Sequence, residues 1–249
     1  MKKFKEFLIA LILIIVTVSV VYLIYNRTST RYSRDLAKRM AELSPRGGPP
    51  ETIDGLRKAI ALYEAQIERN VMEGAQTGVY WKILSMRLAD RNLHNDALEA
   101  LERAIYFNTE DATLYYLTGV SAASVAKSIV GFSGNSQRDR EHFFNLSEKS
   151  YLRALELEIT YPRPMYGLGV LYAFELDRPA DAIVHLERYL QINTSDFSAM
   201  FILARAYFMT QNFQKAIEIY ERIAERTKDK DVKEEALINR DFIQGMKNE

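Results

Sequence analysis

From residue 51 onward apolar residues recur every three or four positions, the period of a helix with one buried face. Ile53, Leu56, Ile60, Tyr63 and Ile67 form one such stripe, Trp81, Leu84 and Leu88 a second, and Met200, Leu203 and Tyr207 a third. No run of alternating β-branched residues bounded by turn residues interrupts this pattern, so strands are not expected. The pattern predicts an all-α body over 51–249, read as helix, short turn, helix, repeatedly.

The start of the chain follows a different rule. Phe7 to Tyr25 are 19 consecutive uncharged, mostly apolar residues. In a helix at ~1.5 Å per residue they extend roughly 28 Å, the thickness of a hydrocarbon core. This predicts a single transmembrane helix over 7–25, with Tyr22 and Tyr25 at its interfacial end. The short tail 1–6 carries Lys2, Lys3 and Lys5, as a secretory start does. The one small-x-small site, Thr17-Val-Ser19, is followed by the apolar run Val20 to Tyr25, a poor setting for cleavage. An uncleaved signal anchor is therefore expected. The protein would be single-pass in the cell membrane, with its C-terminal domain outside the cytoplasm. The arginines and lysine that follow the span (Arg27, Arg31, Arg34, Lys38, Arg39) leave the positive-inside count undecided, so orientation rests on the basic tail.

Residues 26–50 read as a juxtamembrane basic helix and linker, ending in the breaker cluster Ser44-Pro-Arg-Gly-Gly-Pro-Pro50. Charge separates the two parts. The whole chain of 249 residues has 33 basic and 33 acidic residues. Residues 1–47 hold nine basic and three acidic ones, which leaves 24 and 30 for residues 48–249, a net of −6. A mildly acidic body is a poor fit to a nucleic-acid partner. With no cysteine in the chain, disulfides, thiolate metal sites and cysteine nucleophiles are excluded.

A period of 34 residues runs through the body. One unit, 78–111, has Trp81, Leu84 and Leu88, then Ala97, Leu101 and Ala104. Another, 197–230, has Met200, Leu203, Ala204 and Tyr207, then Ala216, Tyr220 and Ile223. A third, 163–196, has Leu168, Gly169 and Tyr172, then Ala182, Leu186 and Tyr189, its first helix offset by one position as if one residue were inserted at the turn. The remaining unit, 112–162, has Tyr115 and Gly119, with Tyr151 and Ala154 displaced by 16 extra residues. Those residues predict an elongated hairpin, Leu114 to Ile129 up and Gln137 to Leu157 down, with Gly131 to Ser136 at its tip and about eight residues added to each helix. Glu51 to Val71 reads as a half-repeat or an N-terminal capping helix. Residues 231–247 read as a C-terminal capping helix, with Ala236, Leu237 and Ile243 turned inward.

These residues resemble the tetratricopeptide repeat, whose pattern sets a large residue at position 4, Leu-Gly at 7 and 8, Tyr at 11, Ala at 20 and 27 and an aromatic or Leu at 24. Small residues let the helices of a hairpin approach, and bulky ones fill the space between hairpins. The resemblance covers roughly 78–228 and implies a helical-hairpin solenoid that binds a protein or peptide partner without catalysis. It further implies that positions 2, 5, 9, 12 and 13 of each first helix line a concave groove, of which 5, 9 and 12 are carried over. In this sequence these are Lys82, Tyr116, Tyr166 and Phe201, then Met86 and Arg205, then Phe208. The family's clamp for chaperone tails sets an Asn four positions after its Lys; here Lys82 is followed by Met86, so that activity is not implied.

Other chemistry finds no support in the sequence. His94, His142 and His185 lie far apart, without a second ligand at metal spacing, and no metal or cofactor is expected. No phosphate loop or nucleophile elbow occurs. Asn26, Asn145 and Asn193 head glycosylation sequons, a motif frequent by chance. The expectation is a membrane-anchored, non-catalytic interaction scaffold. The alternative is a structural envelope component that forms homo-oligomers through 125–140 of the elongated hairpin.

Overall fold

Nine helices and no strand make up the described residues, 52–131 and 134–246, of the computed structural model. The chain divides into two compact units, Met1–Met72 and Glu73–Glu249. Within the first unit the described residues belong to the beginning of helix α1 (Ile53–Ala89). There the stripe Ile53, Leu56, Ile60, Tyr63 and Ile67 faces solvent, each side chain between 41% and 70% exposed. The predicted span 7–25 and the basic linker 26–50 lie outside the described residues. Among the described residues no helix is long and apolar enough to cross a membrane.

The second unit is built of helical hairpins. The C-terminal part of α1 pairs with α2 (His94–Phe107). Then α3 (Ala112–Ser128) pairs with α4 (Gly134–Leu157), α5 (Pro162–Phe174) with α6 (Pro179–Ile192), and α7 (Phe197–Met209) with α8 (Phe213–Arg226). The last helix, α9 (Lys230–Met246), covers α8, with Ala236 and Ile243 buried and Leu237 against the core.

Local chemistry explains where each helix starts and stops. Asp111 and Asp196 cap α3 and α7, their carboxylates accepting from the amides of Thr113 (2.9 Å) and Ala199 (3.0 Å). Proline at the first turn of α5 and α6 costs no hydrogen bond, since those amides lack a helical partner anyway. The turns inside the hairpins recur as well. Asn92 and Gln211 sit in the left-handed region (φ 60° each) and close α1 and α7 by the same pair of bonds, from the amides of Leu93 and Asn212 five residues back and from their own amides three residues back. In the third hairpin the left-handed residue is Asp177, and the bond from Arg178 reaches six residues back to Tyr172. This wider turn is the one-residue insertion the sequence points to. First helices α5 and α7 start 35 positions apart, second helices α6 and α8 start 34 apart.

Small residues set the distance between helices. Tyr151, on α4, lies between two glycines of successive first helices. A Cβ at Gly119 would sit 2.5 Å from its ring and one at Gly167 2.7 Å. Gly169 meets Leu186 in the same way, at 2.5 Å. The second hairpin is longer than the third, and unequally so. Helices α3 and α4 have 17 and 24 residues against 13 and 14 in α5 and α6, so most of the insertion lengthens the downward helix. Gly119, Ser121 and Ala122 on α3 are buried, and the Ser147 hydroxyl on α4 donates to the Gly119 carbonyl at 2.8 Å. Gly131, with φ of +142°, supplies at the tip a conformation that side chains disfavour.

First helices of successive hairpins touch (α3 on α5, α5 on α7), while no comparable contact joins α4 to α6 or α6 to α8 among the described residues. The row of first helices is therefore the inner row of the stack.

Candidate functional site

The inner row carries two open cavities. The first lies between α3 and α5 and has a volume of about 260 Å3. Tyr116, Val120, Tyr151, Arg163 and Tyr166 line it, and Lys127 of α3 closes one side by pairing with Glu175 after α5 at 3.2 Å. Tyr116 is propped by Tyr161, 5.6 Å away between ring centroids, and the Arg163 guanidinium sits 5.9 Å from its ring. Tyr166 rests on Tyr189 (5.3 Å), whose hydroxyl donates to the helix cap Asp196 at 2.7 Å. Burial pushes the phenols of Tyr116 and Tyr166 up from their ordinary value, against the pull of Arg163 on Tyr116 and with Asp196 adding to the rise at Tyr166. Both therefore stay neutral hydrogen-bond donors at any physiological pH. No hydrogen bond within the described residues uses either hydroxyl.

The second cavity, of about 450 Å3, lies between α7 and the cover helix α9. Phe174, Phe201, Phe208, Tyr220 and Phe242 supply its rings, and Arg205, Glu235 and Asn239 its polar groups. The rings support one another: Phe201 lies 5.7 Å from Tyr220, and Phe208 lies 5.7 Å from Phe213 and 6.2 Å from Phe242.

The seven groove residues named from the repeat pattern thus separate into groups. Tyr116 and Tyr166 share the first cavity, and Phe201, Arg205 and Phe208 share the second. Lys82 is elsewhere. Its ammonium donates to Asp111 at 2.7 Å in a third cavity of about 330 Å3, lined also by Gly78 and Phe107. Met86 is exposed on α1 and lines none of the three. Arg163, Phe174 and Phe242 were not legible as site residues. The only signal for Phe242 was its spacing of four from Ile238, an exposed apolar pair on a helix otherwise backed by polar residues.

The ion pair at Lys82 makes a pH prediction. Burial alone would raise the Asp111 carboxyl, but the hydrogen bond and charge of Lys82 and the Thr113 amide outweigh it and hold it below the usual 3.8. A depressed carboxyl stabilises the fold above its unfolded value and loses that contribution as pH falls through its folded value. Lys82→Met should cost at most ~1 kcal/mol at pH 7 for so accessible a pair. The difference from wild type should shrink in thermal unfolding below about pH 4.

Among the described residues no group of three or more His, Asp or Glu is placed to hold a metal ion. The elongated hairpin is closed on itself, Arg140 donating to the Ile129 carbonyl at 2.8 Å, and Val130 is the one large apolar side chain exposed between 125 and 140 among the described residues.

Comparison with known proteins agrees with this architecture. A family model described as the tetratricopeptide repeat matches residues 173–236. Among solved structures, the chain is similar to YrrB, described as a tetratricopeptide-repeat protein with an unusual peptide-binding site, at a TM-score of 0.57 and 18% identity over 73% of this chain and 83% of that one. It is similar to TTC0263, a thermophilic tetratricopeptide-repeat protein of Thermus thermophilus, at 0.51 and 18% over 73% and 92%. MamA 41-end from Desulfovibrio magneticus RS-1 gives 0.50 and 15% over 69% and 96%. At these identities the likeness is one of fold. No curated protein is significantly similar in sequence. The body is an all-α, tetratricopeptide-like solenoid, a fold that generally serves protein interaction rather than catalysis.

Proposed function

We propose that this chain is a non-catalytic scaffold that holds a protein or peptide partner on its inner row of helices. The observation that carries the reading is the pair of open, aromatic-lined cavities on that row, one with two phenol donors unused among the described residues and the other with an arginine among phenylalanines. Aromatic and arginine side chains that stay accessible in a rigid frame are the residue types that dominate binding energies. The solved neighbour described as having a peptide-binding site supports the reading.

The scaffold is tethered to the cell membrane through 7–25, with the array outside the cytoplasm. This part rests on the sequence alone, on 19 uncharged residues behind a basic tail. The acidic body leaves nucleic acid out of the reading.

A photo-crosslinking side chain placed at Ala123 or Asn239, in the two cavities, should capture a discrete partner in intact cells. The same side chain at Val184, exposed on second helix α6, should not. Equal capture at all three sites, or none at any, counts against the scaffold. Protease should reach the array in intact cells; protection until the membrane is permeabilised would reverse the orientation.

A further inference from the structure

The cavity between α7 and α9 holds a positive charge that pairs with no carboxylate among the described residues. Arg205 lines it and makes no ion pair or hydrogen bond among the described residues. Its guanidinium is held 5.2 Å from the Phe174 ring, which steadies the group without using its N–H donors. Around it are Phe201 and Phe208, and the half-exposed Phe174 and Phe242. One carboxylate, Glu235, lines the same cavity from α9 without pairing with Arg205. The volume of about 450 Å3 falls within the ~300–1,000 Å3 range of small-ligand sites.

Charge elsewhere on the inner row points the same way. Lys127 and Glu175 cancel each other, and Arg163 has no carboxylate partner among the described residues. The first cavity thus keeps one positive charge, that of Arg163, while in the second Arg205 and Glu235 balance in number without pairing, on a body whose net charge is −6. Opposite charge speeds encounter and selects the partner.

We infer that the α7–α9 cavity binds a peptide segment in which an aromatic side chain stands next to an aspartate or glutamate. The ring enters among the phenylalanines, and the side-chain carboxylate takes the N–H donors of Arg205, a charge-assisted bond of the kind arginine makes best. Glu235, on the α9 wall, repels the same carboxylate and so holds the affinity below what Arg205 alone would give. This inference rests on the reading of the inner row as peptide-binding and adds the chemistry of the peptide.

The test is selection from a library of displayed random heptapeptides, fused at their C-termini so that side chains alone supply carboxylates, on the full chain in detergent. Aromatic-acidic pairs should be enriched, and Arg205→Gln should weaken the selected peptide about tenfold or more. An otherwise identical peptide with asparagine in place of aspartate should be insensitive to Arg205→Gln. Glu235→Gln, a change on an exposed face, should tighten binding of the acidic peptide about two- to threefold. Enrichment of basic-aromatic peptides, or of acidic ones whose binding survives Arg205→Gln, would overturn the inference and leave the scaffold standing. Failure to enrich any peptide would overturn both.

Discussion

Tyr151→Ala should lower the unfolding free energy of the helical array by about 3–5 kcal/mol, the cost typical of removing a large buried aromatic side chain. Few positions in the chain are as exacting. The ring is 4% exposed and fills the gap between Gly119 of its own hairpin and Gly167 of the next one. It also carries one side of Tyr116, 6.1 Å away, and so shapes the first cavity. Burial drives its phenol far above the ordinary range, so no physiological pH ionises it. The two glycines leave space for this ring alone, and the backbone of two packed helices cannot collapse into the void. Chemical denaturation of the wild type and variant measures the loss. A cost below about 1 kcal/mol would mean that the hairpins are not held apart by this side chain.

The second large effect is a reversal of sign. A Cβ at Gly169 would stand 2.5 Å from both Cγ and Cδ2 of Leu186, a side chain with no exposure at all. Gly169→Ala should therefore destabilise by about 1–3 kcal/mol through overpacking, despite the better helix propensity of alanine. Leu186→Ala alone should cost about 2–5 kcal/mol. In the Leu186→Ala background the obstacle is gone, and Gly169→Ala should then stabilise by up to ~1 kcal/mol, the propensity gain alone. A double-mutant cycle on denaturation midpoints reads the coupling directly. Additive effects would show that the two positions do not meet.

How far the sequence revealed this arrangement depended on what kind of signal each part left. Close-packing positions were legible, because Gly119 with Tyr151 and Gly169 with Leu186 take the same places in the 34-residue pattern once the 16 extra residues of one unit and the one-position offset of the other are allowed for. The extra residue in the turn of the third hairpin was legible for the same reason: it shifted one helix and left the other in register. The N-terminal boundary was not. The sequence set a helix over Glu51 to Val71 apart from a first unit starting at Gly78, yet α1 runs unbroken from Ile53 to Ala89. Gly78 is there for a different purpose, since a Cβ would lie 2.8 Å from Phe107. A glycine that admits a neighbouring helix and one that ends a helix look alike in a single sequence.

The candidate site was legible only in part, also for a physical reason. Helical register places Tyr116, Tyr166, Phe201, Arg205 and Phe208 on one row, and they line its cavities. Register says nothing about partners distant in the chain. Lys82 is held by Asp111, 29 positions later, and Phe242 reaches the Arg205 cavity from the cover helix, 37 positions after it. Such pairings depend on how hairpins stack, which no local pattern records.

The central claim, that the inner row of helices is the binding face, can be tested by thiol labelling, since the chain has no cysteine of its own. Single variants Ser124→Cys and Asn239→Cys report on the two inner cavities, and Val184→Cys on the outer row. With the captured partner added, labelling should slow at least severalfold at Ser124→Cys or Asn239→Cys and stay unchanged at Val184→Cys. Protection at Val184→Cys with none at the inner positions would contradict the account.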